Sequence, residues 1–201
     1  MNISEYEKVK NLNYLEYCNY LKAKYGEAKY NYTYPSFNKN HKVTRTSEGL
    51  FCHHIYENYT PLLSKPSRAK QYPFEYQLAQ NLVYCDFLEH LFLHILIYEN
   101  PPKDKDPLEV VGVTGIMMCI VPELNDLFSG FKPTQPWQVN IYNKVVNDKD
   151  VYFSLLKRFK PTLKNNYPNY TDRMLFTSHN SSYGLWNPIK NKKIYDEIKD
   201  L

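Results

Sequence analysis

The chain has 201 residues, of which 43% are hydrophobic and 23% are charged, and its formal net charge is +4. This balance is typical of one globular domain with its own core, and it excludes a disordered chain. No apolar run reaches the roughly 18–20 residues that a membrane-spanning helix needs, and the polar N-terminus lacks the apolar core of a signal peptide. We therefore expect a single cytoplasmic domain over residues 1–201, with no membrane partner.

The four cysteines are spread along the chain, at Cys18, Cys52, Cys85 and Cys119. None of them forms a Cys-x-x-Cys pair, so their spacing does not match a zinc ribbon. A chain of this size also needs no disulfides to hold its core together. We expect buried, reduced thiols, as is usual in a cytosolic protein.

The chain begins with a pattern that predicts a helix over 5–25. Ser4 and Glu7 have the spacing of a capping box, and Gly26 is a typical residue at the end of a helix. The apolar residues that follow at helical spacing are Val9, Leu12, Leu15, Cys18 and Leu21. The polar, tyrosine-rich residues 27–47 are then expected to form an irregular loop.

Two short strands and a helix are predicted in the middle of the chain. The apolar runs at 50–56 and 81–85 have the length of strands, and a long connection with three prolines separates them. Asp86 and Glu89 then have the spacing of a second capping box, which predicts a helix over 87–98. An Asn-Pro-Pro sequence follows and ends that helix.

The remaining chain is expected to form a mainly helical or irregular extension over 99–201. The most apolar stretch, 108–121, is predicted to be buried, as either helix or strand. Further helices are predicted over 136–146 and 151–159. The pattern after these is irregular until 194–201.

Four of the six histidines lie within the two predicted strands and the helix that follows. His90 and His94 are four residues apart, so both imidazoles lie on one helix face, which is the usual way for a helix to offer two nitrogen ligands to one metal ion. Hydrogen-bonded core histidines are the alternative for such a pair. His53 and His54 are adjacent in a strand and point to opposite faces. One of them can therefore join a metal site while the other acts on a substrate or on water.

The sequence E-G-L-F-C-H-H-I, followed by N-L-V-Y-C-D-F-L-E-H-L-F-L-H, resembles the HNH nuclease motif. The resemblance covers about residues 48–98 and implies an α+β fold in which helices surround a ββα-metal core. The variant it most resembles has a histidine before the general base, as in nuclease-type colicins. Its spacings of nine residues from asparagine to histidine, and four between the helix histidines, are those of Asn81, His90 and His94.

The resemblance implies a role for each of these residues. It makes His53, His90 and His94 the ligands of the metal ion. It makes His54 the general base, and Asn81 the structural asparagine that ties the connecting loop and orients that base. The 26 residues between His54 and Asn81 exceed a minimal ββα loop, which suggests an insertion that contacts substrate.

The implied activity is metal-dependent hydrolysis of DNA phosphodiester bonds. His54 would deprotonate a water molecule, while one divalent ion neutralises charge on the scissile phosphate. Imidazole ligands favour Zn²⁺, Ni²⁺ or Mn²⁺, and they leave Mg²⁺ as a less favoured choice. A phage, mobile-element or restriction nuclease fits this description, and cleavage of both strands would imply a homodimer.

Basic residues flank the two predicted strands and are expected to contact phosphates of bound DNA. They are Lys39, Lys42, Arg45, Lys65, Arg68 and Lys70. Two alternatives stay open at this point. The first is a ribonuclease or toxin effector with the same core, and the second is a non-catalytic module in which the histidine–metal site only stabilises a surface that binds nucleic acid or protein.

Overall fold

The computed structural model describes residues 1–175 and 188–201. Within these ranges, helices surround a small two-stranded antiparallel sheet. The fold class is therefore α+β, as predicted. None of the helices in the described ranges has both the length and the apolar character that a bilayer crossing requires.

The N-terminal region forms two helices, whereas the sequence pattern predicts one helix over 5–25. They are α1 (Ile3–Val9) and α2 (Tyr14–Tyr25). The Asn13 side chain accepts a hydrogen bond from the Glu16 backbone N–H, and the Glu16 carboxylate accepts one from the Asn13 backbone N–H. This capping box starts a new helix and explains the break.

The sheet consists of β1 (Phe51–His54) and β2 (Leu82–Cys85), which are shorter than the predicted strands. The register places His54 opposite Leu82, at the end of the sheet where the long connection leaves β1. That connection contains α3 (Pro66–Ala69) and three 3-10 turns. The turns are Ile55–Asn58, Phe74–Gln77 and Ala79–Asn81.

Helix α4 (Phe87–Glu99) follows β2 directly and is the central helix of the fold. The predicted capping box is confirmed, because Asp86 and Glu89 each accept a hydrogen bond from the other's backbone N–H. Ten of the thirteen side chains of α4 are buried. A helix that is apolar on every face belongs inside a core, with other helices packed around it.

Much of the described chain after α4 is helical. Its elements are α5 (Val113–Gly115), a π-helical turn (Ile116–Ile120), α6 (Val121–Phe128), α7 (Pro136–Val145), α8 (Lys149–Asn166) and α9 (Pro188–Lys199). The apolar stretch at 108–121 is only partly buried, since Leu108 is 87% exposed and Met118 is 66% exposed. The π-helical turn precedes Pro122, which has no N–H to donate and would clash with the preceding turn of a regular α-helix.

Two apolar clusters lie on opposite faces of the sheet. The larger cluster surrounds α4 and includes side chains of α1, α2, α6, α7 and α8. The smaller cluster contains Tyr32, Val43, Leu50, Leu82 and Tyr84. Because neighbouring residues of a strand point to opposite faces, His53 faces α4 and His54 faces the aromatic ring of Tyr32.

Candidate metal centre

The three histidines predicted as metal ligands come together between β1 and α4. One ring nitrogen from each of His53, His90 and His94 lies within 4.8 Å of the other two. The Nε2 atoms of His90 and His94 are 3.2 Å apart, because residues four apart share one face of a helix. The strand supplies His53 from the opposite side, with its ring centroid 5.3 Å and 5.2 Å from those of His90 and His94.

Burial keeps these three imidazoles neutral. It lowers the pKa of His53 and of His90 well below the usual value, and it lowers the pKa of His94 to about 4. A neutral imidazole has a free lone pair, which is the form that binds a metal ion. Within the described residues, the Nδ1 atoms of all three rings are buried without a hydrogen-bond partner. The unsatisfied Nδ1 of His53 and the Nε2 atoms of His90 and His94, which face each other, therefore fit the donor set of a divalent transition metal.

A carboxylate that the sequence analysis did not identify lies beside the three rings. Glu57 Oε2 is 3.6 Å from His53 Nδ1 and 3.5 Å from His94 Nε2. The 3-10 turn after β1 brings Glu57 back toward α4, and only 12% of its side chain is exposed. Burial raises the pKa of Glu57 to about 7. The only sequence feature that could have identified Glu57 is its position four residues after His53, next to the motif.

Helix α2 determines which nitrogen of His53 is free. The Tyr14 hydroxyl donates its proton to the Ile55 carbonyl oxygen, 2.8 Å away, and lies 2.9 Å from His53 Nε2. Because the hydroxyl proton is already used, His53 Nε2 must be the donor in the second bond. The lone pair of His53 is then on Nδ1, the atom that lies 3.6 Å from Glu57 Oε2.

Two glycines allow the chain before α6 to pack directly against His94. A Cβ atom on Gly115 would lie 2.6 Å from His94 Cε1, and one on Gly112 would lie 2.6 Å from the His94 carbonyl oxygen. Gly112 also has a φ of +76°, which favours glycine. A larger residue at Gly115 would push the chain away from the His94 imidazole, and one at Gly112 would push it away from the backbone of α4. No pattern in the sequence indicates this contact.

The predicted general base, His54, lies on the other face of β1. Its Nε2 is 3.4 Å from Gln77 Oε1, and its ring centroid is 4.2 Å from that of Tyr32. Burial lowers the pKa of His54 to about 3, so the ring is neutral. Because β1 ends at His54, its side chain still lines the same cavity as His53. This cavity has a volume of about 210 Å³ and is also lined by Glu57, His90 and His94.

Asn81, the predicted structural asparagine, lies in the 3-10 turn before β2. Its side-chain amide donates a hydrogen bond of 2.9 Å to the Glu75 carbonyl oxygen in the connection between the strands. The side chain that contacts His54 is Gln77, whose own amide donates to the Leu63 carbonyl oxygen at 3.2 Å. Sequence reasoning did not identify Gln77, because nothing in a 26-residue connection indicates which residue turns inward.

The six basic residues predicted to bind phosphate fall into two groups. Arg45 binds both oxygens of Glu48, at 2.7 Å and 2.6 Å, and Arg68 is paired with Glu109. Lys39 is half-buried, with its ammonium 3.1 Å from the centroid of the Tyr32 ring. Burial lowers its pKa to about 8.

The other three predicted phosphate ligands, Lys42, Lys65 and Lys70, are exposed. Lys65 directly follows Ser64, which lines the cavity. It is also close enough to the cavity residue Cys119 to oppose the rise in that thiol's pKa that burial causes. Of the three lysines, Lys65 is therefore placed to meet a phosphate that enters the cavity.

No protein-family model matches the chain, and neither a curated protein nor a solved structure matches it. A fold alone does not determine function. Function must therefore be argued from the residues of this site and their geometry.

Proposed function

We propose that the protein is a metal-dependent endonuclease of the HNH type that hydrolyses phosphodiester bonds of DNA. His53, His90 and His94 hold one divalent ion, and His54 is the general base. The observation that carries this proposal is the succession of two antiparallel strands and a helix that groups three neutral imidazoles. A fourth imidazole follows the first ligand directly and lines the same cavity.

The side chains around the cavity divide the chemistry between them. An ion bound by the three histidines supplies a Lewis acid that stabilises negative charge on the scissile phosphate. His54 accepts a proton from the attacking water, which requires the neutral ring that burial provides. Gln77 and Tyr32 hold that ring in place. A bound phosphate adds negative charge next to His54, and this charge raises its pKa toward the range of an effective base.

The donor atoms favour Zn²⁺, Ni²⁺ or Mn²⁺ over Mg²⁺. Nitrogen ligands suit borderline transition metals, whereas Mg²⁺ prefers oxygen ligands and keeps much of its water shell. The exposed Lys65 beside the cavity favours a polyanion as substrate. Duplex DNA is preferred because a strand pair and helix of this size fits a groove.

The non-catalytic alternative explains less of the site. A metal ion that only stabilises the fold needs its ligands but needs neither a cavity nor a second imidazole beside it. The structure has a cavity of about 210 Å³, and His54 lines it. A ribonuclease with the same residues is the remaining alternative within the enzymes.

Plasmid cleavage with a panel of divalent metals tests the proposal. Wild-type protein should nick or linearise the plasmid, and His54→Ala should lower the rate by about 10²–10⁴-fold. His41→Ala is the matched control, because His41 is exposed and lies in a 3-10 turn outside the cavity. It should cleave at the wild-type rate.

The other outcomes assign the site differently. Cleavage of RNA without cleavage of DNA would select the ribonuclease. Metal binding without cleavage of either nucleic acid would select the non-catalytic module.

A further inference from the structure

We infer that Glu57 is a fourth protein ligand of the metal ion, so that the centre consists of three imidazoles and one carboxylate. This inference rests on the proposed metal site of His53, His90 and His94. The HNH resemblance assigns no role to Glu57.

The first argument is the spacing of the donor atoms. Two ligand atoms that are each about 2.0–2.1 Å from a tetrahedral zinc ion lie about 3.3–3.4 Å from one another. Glu57 Oε2 is 3.5 Å from His94 Nε2 and 3.6 Å from His53 Nδ1, while the Nε2 atoms of His94 and His90 are 3.2 Å apart. The carboxylate oxygen therefore lies about as far from one nitrogen each of His53 and His94 as the Nε2 atoms of His90 and His94 lie from one another, within a histidine group that spans at most 4.8 Å.

The second argument is the direction of the lone pairs. The bond with Tyr14 places the proton of His53 on Nε2 and leaves Nδ1 facing Glu57. At 3.6 Å the two atoms are too far apart for a hydrogen bond, and an unprotonated nitrogen and an ionised carboxylate oxygen repel each other. A cation between them turns this repulsion into two attractive contacts.

Third, the charge of the buried Glu57 carboxylate needs a nearby cation to compensate it. The side chain of Glu57 is only 12% exposed. The groups near its carboxylate are neutral imidazoles and the Leu63 backbone, whose hydrogen bond offsets only part of the rise in the Glu57 pKa that burial causes. A buried carboxylate is costly unless a cation or several hydrogen bonds compensate its charge. A divalent ion at this position supplies that charge, and the carboxylate lowers the net charge of the centre.

A fourth protein ligand changes how substrate reaches the ion. The phosphate oxygen must either enter as a fifth ligand or replace the Glu57 carboxylate. Zinc sites can expand from four to five ligands. Glu57 lines the cavity, so its side chain lies on the side from which a phosphate would arrive.

Metal binding to Glu57→Gln and Glu57→Ala tests the inference without any activity measurement. Zn²⁺ affinity is measured by competition with a chromophoric chelator, and Co²⁺ absorption spectra report the coordination of the bound ion. Loss of a partner that only orients a ligand typically costs about 10–100-fold in metal affinity. Loss of a ligand should cost at least that, and the Co²⁺ bands should shift in both variants.

Glu75→Gln is the matched control. Glu75 is exposed and lies in the same connection between the strands. It should bind Zn²⁺ as wild type does and give an unchanged Co²⁺ spectrum. Circular dichroism of the metal-free variants checks folding, and Glu57→Gln keeps the volume of the side chain if Glu57→Ala fails to fold.

The failures of the two proposals are distinguishable. If wild type binds neither Zn²⁺ nor Co²⁺, both the proposed metal site and the role of Glu57 are wrong. If wild type binds and Glu57→Gln binds with the same affinity and the same Co²⁺ spectrum, only the role of Glu57 is wrong. A weaker affinity with shifted Co²⁺ bands supports both.

Discussion

The two neighbouring histidines of β1 have very different surroundings. His53 faces α4, the centre of the large core, and its Nε2 is fixed at 2.9 Å from the Tyr14 hydroxyl. His54 faces the smaller cluster, and its contact with Gln77 is longer, at 3.4 Å. The two rings are therefore held differently although they are adjacent in the strand. His53 is tightly held, which suits a metal ligand. His54 has a weaker contact, which suits a group that exchanges protons.

The same comparison explains why two adjacent histidines are not redundant. The alternation of side chains along a strand is strict, so exchanging the two roles would turn the whole strand over. Because β1 ends at His54, both rings still reach one cavity. The predictions below test this division between a metal-binding face and a catalytic face.

Alanine substitution of His53 and of His54 should separate the metal-binding face from the catalytic face. These two variants should show the largest effects of all the substitutions predicted here. His53→Ala should weaken Zn²⁺ binding by at least about 100-fold, because it removes a ligand instead of a partner of a ligand. His54→Ala should bind Zn²⁺ within about threefold of wild type and lose about 10²–10⁴-fold in cleavage rate. Equal losses of metal affinity in the two variants would contradict the division.

Removing the hydroxyl of Tyr14 should weaken the metal-binding face alone. Tyr14→Phe frees the Nε2 proton of His53 and lets the ring change its tautomer. We expect Zn²⁺ affinity to fall by about 10–100-fold, the usual effect of losing a partner that orients a metal ligand. Tyr20→Phe is the control, since Tyr20 is also on α2 and its hydroxyl bonds to Glu5. An unchanged affinity in Tyr14→Phe would show that the bond does not fix the ring.

Substitution of Gln77 should affect the catalytic face alone. Gln77→Ala removes the contact with His54, and one such hydrogen bond contributes about 1 kcal/mol, so cleavage should slow by about five- to tenfold. Zn²⁺ affinity should stay at the wild-type value. Gln80→Ala, at an exposed position in the same connection, is the control. Thermal unfolding checks that any loss of activity exceeds the loss of folded protein.

Gly115→Ala should change metal affinity by about as much as Gln77→Ala changes the cleavage rate, and the sign of its effect on stability is informative. An alanine in place of a helical glycine ordinarily stabilises a protein by about 0.5–1 kcal/mol. Here the new methyl group would lie 2.6 Å from His94 Cε1 and must displace the ring. We expect metal affinity to fall by about tenfold, and the melting temperature not to rise. Thr114→Ala, one residue away, should leave metal affinity unchanged.

The parts of the site that were predictable are those with a local pattern. The capping box of Asp86 and Glu89 and the apolar run after it predicted α4 almost to the residue. The spacing of His90 and His94 placed both rings on one helix face. The helix predicted over 5–25 failed for a local reason as well, because an asparagine cap interrupts an apolar stripe that continues past it.

The parts that were not predictable depend on long-range contacts. Tyr14 reaches His53 from a helix 39 residues away along the chain, and Gln77 reaches His54 across 23 residues. Glu57 comes back toward α4 only because a 3-10 turn follows β1. The spacing of apolar residues does not predict such contacts, because each contact depends on how separate elements pack together.

A crystal structure determined after soaking with Zn²⁺ or Co²⁺ would show whether the three histidines bind one metal ion, because anomalous scattering locates the ion. We expect one ion, with one nitrogen from each of His53, His90 and His94 about 2.0–2.2 Å away. His54 should lie outside the ligand set. An ion bound elsewhere, or three rings that move apart and leave the position between them empty, would contradict the account.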